Sequence, residues 1–196
     1  MAKILALMGS PRRGGNTEAM LDAFVRGARE AGARVEVLRV AEMKIKPCTN
    51  CNGCQETGEC VIADDMGLIY EKLAEAHGVV MASPIYFGGV SAYMKAAIDR
   101  FQVYWFINFG NENLKPLRAG KKRPAFFLAV GGMKNKKYCE NVRITAEALF
   151  LNTRLKFSGF LCLQGYDEKG DLEKNGDALR DVMEKGREFV QEMGEI

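Results

Sequence analysis

Histidine is nearly absent from this chain. Its only copy, His77, opens an apolar run with no partner pattern for a catalytic triad or a metal site, so it reads as structural. Charge of one sign is lacking as well: 28 Lys and Arg stand against 25 Asp and Glu, a net +3. That balance, evenly mixed along the chain, excludes the basic face a nucleic-acid-binding protein needs. The densest basic stretch, Lys115 to Arg123, reads as the flank of a solvated loop, with steering of an acidic partner as the alternative. No apolar run approaches the roughly 18 residues of a membrane span. The opening Met1-Ala2-Lys3-Ile4-Leu5 reaches the polar Gly9-Ser10-Pro11-Arg12 too soon for a secretory signal. A soluble, cytoplasmic protein is expected. Internal repeats, low-complexity tracts and linkers are also missing. With 196 residues and 47% hydrophobic content, one domain spanning 1–196 is expected.

What is present alternates. Lys3 to Met8 is a short apolar run that reads as a buried strand. Met20, Leu21, Phe24, Val25 and Ala28 then recur at helical spacing, with Asn16 or Thr17 as N-cap and Gly32 as stop. Further strands are expected at Arg34 to Val40, Gly78 to Ala82, Pro124 to Val130 and Lys156 to Leu163. Helices are expected after Asp64-Asp65, at about 91–101 and 141–153, and at the C-terminus. The alternation implies an α/β fold with a five-stranded parallel sheet and helices on both faces; a doubly wound sheet in the flavodoxin-like order 2-1-3-4-5 is expected. Tyr104 to Lys122 is the least regular stretch and reads as a long connection. The aromatics Phe101, Tyr104, Trp105, Phe106 and Phe109 are too dense for a solvated loop. They suit core packing or a subunit interface, the latter implying a homodimer or homotetramer.

In such a sheet, ligands bind beyond the carboxyl ends of the strands, where the strand order reverses. The loops after the first, third and fourth strands line that crevice: 9–17, 83–90 and 131–137. The first reads Gly9-Ser10-Pro11-Arg12-Arg13-Gly14-Gly15-Asn16-Thr17 and runs straight into a helix. Free N–H groups and the positive end of the helix dipole suit a phosphate there. Gly14 and Gly15 allow close approach, Ser10 and Thr17 carry hydroxyls, and Arg12 neutralises charge. Neither the P-loop pattern nor G-x-G-x-x-G is present, and Glu42 lies too far past the second strand for a ribose ligand. The second loop, Ser83-Pro84-Ile85-Tyr86-Phe87-Gly88-Gly89-Val90, offers an apolar surface and backbone donors to a planar tricyclic ring.

Four of the six cysteines, Cys48, Cys51, Cys54 and Cys60, fall within a cysteine-rich loop at 47–61. Structural zinc sites use two knuckles a dozen or more residues apart, which this run does not provide. The ferredoxin run C-x2-C-x2-C-x3-C-P sends its fourth cysteine to another cluster. Here the last gap is five residues, contains Gly58 and lacks the proline, so the chain can fold back on one cluster. Free thiols, a transient redox pair and zinc stay open as alternatives. Cys139 and Cys162 stand outside the motif and read as ordinary thiols.

The pattern G-S-P-R-x-x-G-N-T, then S-P-I-Y-F-G-G, then Lys95 and Asp99-Arg100, resembles the NADPH-dependent FMN reductase group of flavodoxin-like proteins along nearly the whole chain. The resemblance implies that Ser10, Arg12, Gly15, Asn16 and Thr17 hold the FMN phosphate. It implies that Pro84, Ile85, Tyr86, Phe87 and Gly88, with Gly131 and Gly132, surround the isoalloxazine. The chemistry would then belong to the flavin, with no catalytic acid or base to seek. The compact cysteine run resembles the iron–sulfur flavoprotein family, which implies a [4Fe-4S] cluster on Cys48, Cys51, Cys54 and Cys60 exchanging electrons with FMN. Its redox partner would be a reduced carrier such as ferredoxin. Without a cluster, the resemblance implies an NAD(P)H-dependent FMN or quinone reductase.

Overall fold

A computed structural model describes residues 1–114 and 122–194. Five strands form one parallel sheet: β1 (Lys3–Met8), β2 (Arg34–Arg39), β3 (Gly78–Tyr86), β5 (Pro124–Gly131) and β6 (Lys156–Gln164), side by side in the order β2-β1-β3-β5-β6. A two-residue strand, β4 (Gly89–Val90), folds back antiparallel on the end of β3. Setting β4 aside, this is the expected 2-1-3-4-5 order, with the reversal between β1 and β3. The expected third strand, Gly78 to Ala82, is too short because the β4 ribbon carries β3 on to Tyr86.

Period-2 alternation explains the layers. Leu5, Leu7, Val79, Met81, Phe127 and Ala129 point to one face, where they meet Ile69, Leu73, Met94, Val142 and Phe150. Ile4, Ala6, Met8, Val80, Leu128 and Val130 point to the other and meet Met20, Phe24, Val182 and Phe189. Helices α3 (Met66–Glu75), α4 (Ala92–Arg100) and α6 (Lys136–Asn152) therefore cover the first face, and α1 (Asn16–Glu30) and α7 (Gly176–Gly194) the second. Two short helices, α2 (Cys54–Thr57) and α5 (Gln102–Trp105), lie in the connections.

Helix starts show where local signals compete. Gly15, not Asn16 or Thr17, takes the N-cap position of α1, because the Asn16 amide is drawn to a distant loop. Ser91 caps α4 by accepting from the Met94 N–H. Asn135 caps α6, which begins five residues before the expected Asn141. Gly32, at φ +89°, follows the end of α1 as anticipated.

Three other expectations are corrected. Cys139 and Cys162 are not separate thiols: they form a disulfide with a Cα–Cα distance of 6.0 Å. The α6 crossover lays its first turn against the edge strand β6, a proximity invisible in a separation of 23 residues. Arg123 does not flank a solvated loop; its guanidinium donates to the Leu73 and Ala76 carbonyls at the end of α3. Most of the Lys115 to Arg123 stretch lies outside the described residues. The supposed connection from Tyr104 begins as α5 followed by a π-helical turn, Phe106–Gly110. Tyr104, Phe106 and Ile107 pack into the core, whereas Trp105 and Phe109 stay partly exposed. His77 joins strand starts: its Nδ1 accepts from the Lys3 N–H and its own N–H donates to the Lys3 carbonyl.

Candidate functional site

The strand ends converge on one cleft of about 140 Å³. It is lined by Ser10, Arg12, Gly15, Asn16 and Thr17 from the first loop, Pro84, Ile85 and Tyr86 from the second, and Gly131 and Gly132 from the third. Phe87 and Gly88 do not line it. Phe87 is fully exposed at the tip of the β3–β4 ribbon, in the left-handed region at φ +50°, and Gly88 turns toward Tyr138. Val130, Tyr166 and Asp167 also line the cleft. The latter two follow β6, whose loop carries no glycine-rich or hydroxyl-rich signature to single it out.

Buried hydrogen bonds fix the loops to one another. The Ser91 hydroxyl donates to the Gly9 carbonyl at 2.6 Å, and the Ser91 N–H donates to the Ser83 hydroxyl at 2.9 Å. One capping serine thus ties the first loop to the second. The Arg12 N–H donates to Ser10 Oγ, and the Arg12 guanidinium reaches the Asp167 carbonyl at 3.3 Å. Asn16 is committed on both sides: its Nδ2 donates to the Glu168 carbonyl and its Oδ1 accepts from the Leu172 N–H. It braces the cleft and offers a ligand its backbone rather than its amide. The N-cap residue of α1 makes no side-chain cap, which leaves the first amides, of Asn16 and Thr17, to an anion, while the Gly14 N–H donates to the Glu18 carboxylate at 2.6 Å. Gly132 packs so closely that a Cβ there would fall 2.6 Å from Asp167 Oδ1.

A second cavity, of about 20 Å³, is ringed by Cys48, Cys51, Cys54 and Cys60 together with Val61, Arg100, Val103 and Phe106. Asn50 and Asn52, both at positive φ, turn the backbone between the first three cysteines. Cys51 is exposed and the other three are half-buried. A backbone hydrogen bond from Gly53 holds the Cys51 thiol below its usual range. Burial, reinforced by the neighbouring sulfurs of Cys60, Cys48 and Cys51, pushes the Cys54 thiol up. Among the described residues no three His, Cys, Asp or Glu side chains converge tightly enough to grasp a single metal ion.

Arg100 stands at the junction. It ends α4, whose other end is capped by Ser91 beneath the cleft. The nine residues of α4 rise about 14 Å. Burial opposes the Arg100 charge, but the Asp64 carboxylate, then Tyr70 and Cys60, hold it firmly protonated. The resemblance picked out Arg100 by pattern; its contact with the cysteine loop needs the folded chain.

Residues 2–149 match the family described as NADPH-dependent FMN reductase. An iron–sulfur flavoprotein of Methanocaldococcus jannaschii is 35% identical over 136 residues, covering 68% of this chain and 64% of that one. The chain thus spans under two thirds of the length of that relative. A protein of Bacillus subtilis named as a putative NAD(P)H-dependent FMN-containing oxidoreductase is 26% identical, over 90% of this chain and 92% of its own. Among solved structures, an NAD(P)H:quinone oxidoreductase from Methanothermobacter marburgensis superposes with a TM-score of 0.65 at 19% identity, covering 95% and 96% of the two chains. No helix among the described residues is long and apolar enough to cross a membrane. With three quarters of its length matched and its loops converging where the fold places ligands, the chain belongs to the NADPH-dependent FMN reductase family.

Proposed function

We propose that this chain is an FMN-dependent oxidoreductase of the cytoplasm, with FMN in the cleft and a [4Fe-4S] cluster on Cys48, Cys51, Cys54 and Cys60 that exchanges electrons with it. The observation that carries this reading is the convergence of three loops on one cleft beside an uncapped helix start. FMN, when bound, supplies one- and two-electron transfer at its isoalloxazine. The chain's part is to bind and orient. The first amides of α1, the hydroxyls of Ser10 and Thr17 and the charge of Arg12 receive the phosphate. Pro84, Ile85 and Tyr86, together with Gly131 and Gly132, would surround the ring. Asn16 and Ser91 keep the loops from drifting apart.

Four soft sulfur donors around one cavity favour a multi-iron group. The electron donor is then a reduced one-electron carrier such as ferredoxin. A homodimer or homotetramer would bring the cluster close to a partner's FMN. The competing reading is an NAD(P)H-dependent FMN or quinone reductase without a cluster, favoured by the relative named as a putative NAD(P)H-dependent FMN-containing oxidoreductase, which aligns along nearly its whole length. Anaerobic purification separates the two. The cluster reading expects FMN plus about four iron and four sulfide per chain, lost on Cys→Ala at any of the four positions with FMN retained. FMN with no iron after reconstitution leaves the NAD(P)H reductase.

A further inference from the structure

Arg100 heads the fully buried side chains by volume, at 1% exposure. Its Nη1 donates to the Lys46 carbonyl at 2.9 Å and its Nη2 to the Ile62 carbonyl at 3.1 Å. One guanidinium therefore grips the backbone on either side of the cysteine-rich loop. The same two nitrogens bind the Asp64 carboxylate at 2.7 and 3.2 Å. Nε is different: it is buried and, among the described residues, has no hydrogen bond of normal geometry, while the Cys60 thiol lies close enough to favour the charge of the guanidinium. A buried cationic N–H without an acceptor is costly to maintain, and Arg100 lines the cavity that the four cysteines surround.

We propose that Arg100 is a positioning residue for the four-cysteine site, its Nε–H donating to a sulfur on the Cys60 side and its charge raising the reduction potential of the group held there. The inference rests on the cluster reading. A reduced cluster carries one more negative charge than the oxidised one. A nearby cation and an N–H donated to sulfur stabilise that charge and make reduction easier. Asp64 engages the two terminal nitrogens and offsets part of the positive charge, leaving Nε directed elsewhere. The two residues thus pull the potential in opposite directions. A clasp serving only to hold the loop has no such sign: loss of either partner loosens the same turn.

The test is a redox titration of anaerobically reconstituted wild type, Arg100→Gln and Asp64→Asn, followed by the electron paramagnetic resonance of the reduced cluster. Flavin absorbance checks that the fold persists. Arg100→Gln is expected to lower the potential, leaving the cluster about tenfold less reduced at the wild-type midpoint, equivalent to about 59 mV for one electron. Asp64→Asn, which keeps the shape of the carboxylate, is expected to raise it. If Arg100→Gln does not fold, the rise in Asp64→Asn carries the test alone. Potentials that stay fixed, or move the same way in both variants, overturn the inference while leaving the cluster in place. Wild-type protein that takes up no iron overturns the cluster reading and this inference together.

Discussion

Arg100 and Asp64 pair at 2.7 Å with side chains only 1% and 5% exposed, locking the end of α4 to the segment that leads into α3. Burial opposes the Asp64 charge, but hydrogen bonds from Arg100 and from the Lys46 and Met66 amides hold its carboxyl below the ordinary 3.8. The folded pKa lies under the unfolded one. The pair's stabilisation is therefore complete above about pH 4 and is lost as pH falls through the folded value. Urea unfolding from pH 6 downward should show this loss, and Asp64→Asn should flatten that part of the curve. At pH 7, Arg100→Gln strands the carboxylate and should cost about 3–5 kcal/mol. An acid slope identical in Asp64→Asn removes the pair from the account.

The crossing of α1 and α7 depends on two glycines. A Cβ on Gly27 would lie 1.8 Å from the Met183 carbonyl oxygen, and one on Gly186 would lie 2.1 Å from that of Phe24. Neither backbone atom can yield without moving a helix. Gly27→Ala and Gly186→Ala should each destabilise by at least about 1–3 kcal/mol in denaturant unfolding. An alanine tolerated at both positions contradicts the close approach.

For the flavin site, Arg12→Ala should weaken FMN binding by about 1.5–3 kcal/mol, the range for a hydrogen bond to a charged group. Titrating the apoprotein with FMN measures it. The arginine also braces the Asp167 carbonyl, so Ser10→Ala serves as the companion variant. Unchanged affinity in both variants removes this loop from the site.

The aromatic stretch divides under the structure. Phe106 is 8% exposed and Trp105 38%, so a polar residue at Phe106 should unsettle the core whatever the assembly. Trp105 and Phe109 are the proper probes of an interface. Polar replacement of both should convert a dimer or tetramer into smaller species by light scattering, with the secondary structure of the chain retained by circular dichroism. A wild-type monomer dismisses the interface.

The alternation of apolar strands and amphipathic helices determined the α/β class of the fold, because side-chain period and short crossovers are local properties carried by runs such as Lys3 to Met8 and Pro124 to Val130; the strand order was expected from the flavodoxin-like resemblance. The three cleft segments were legible for a related reason: each lies at the carboxyl end of a strand and is marked by glycines, joined by hydroxyls in the first and aromatics in the second. Pairings between distant segments were not legible. Asn16 looked like a cap, yet its amide is used by Glu168 and Leu172. Cys139 and Cys162 looked separate until a crossover brought them together. Gly27 and Gly186 carry no local mark of the helix crossing that requires them. Arg100, one of 28 basic residues, became the clasp of the cysteine loop only once α4 delivered it there. Such contacts depend on where a folded chain returns to itself, and tertiary packing alone decided them.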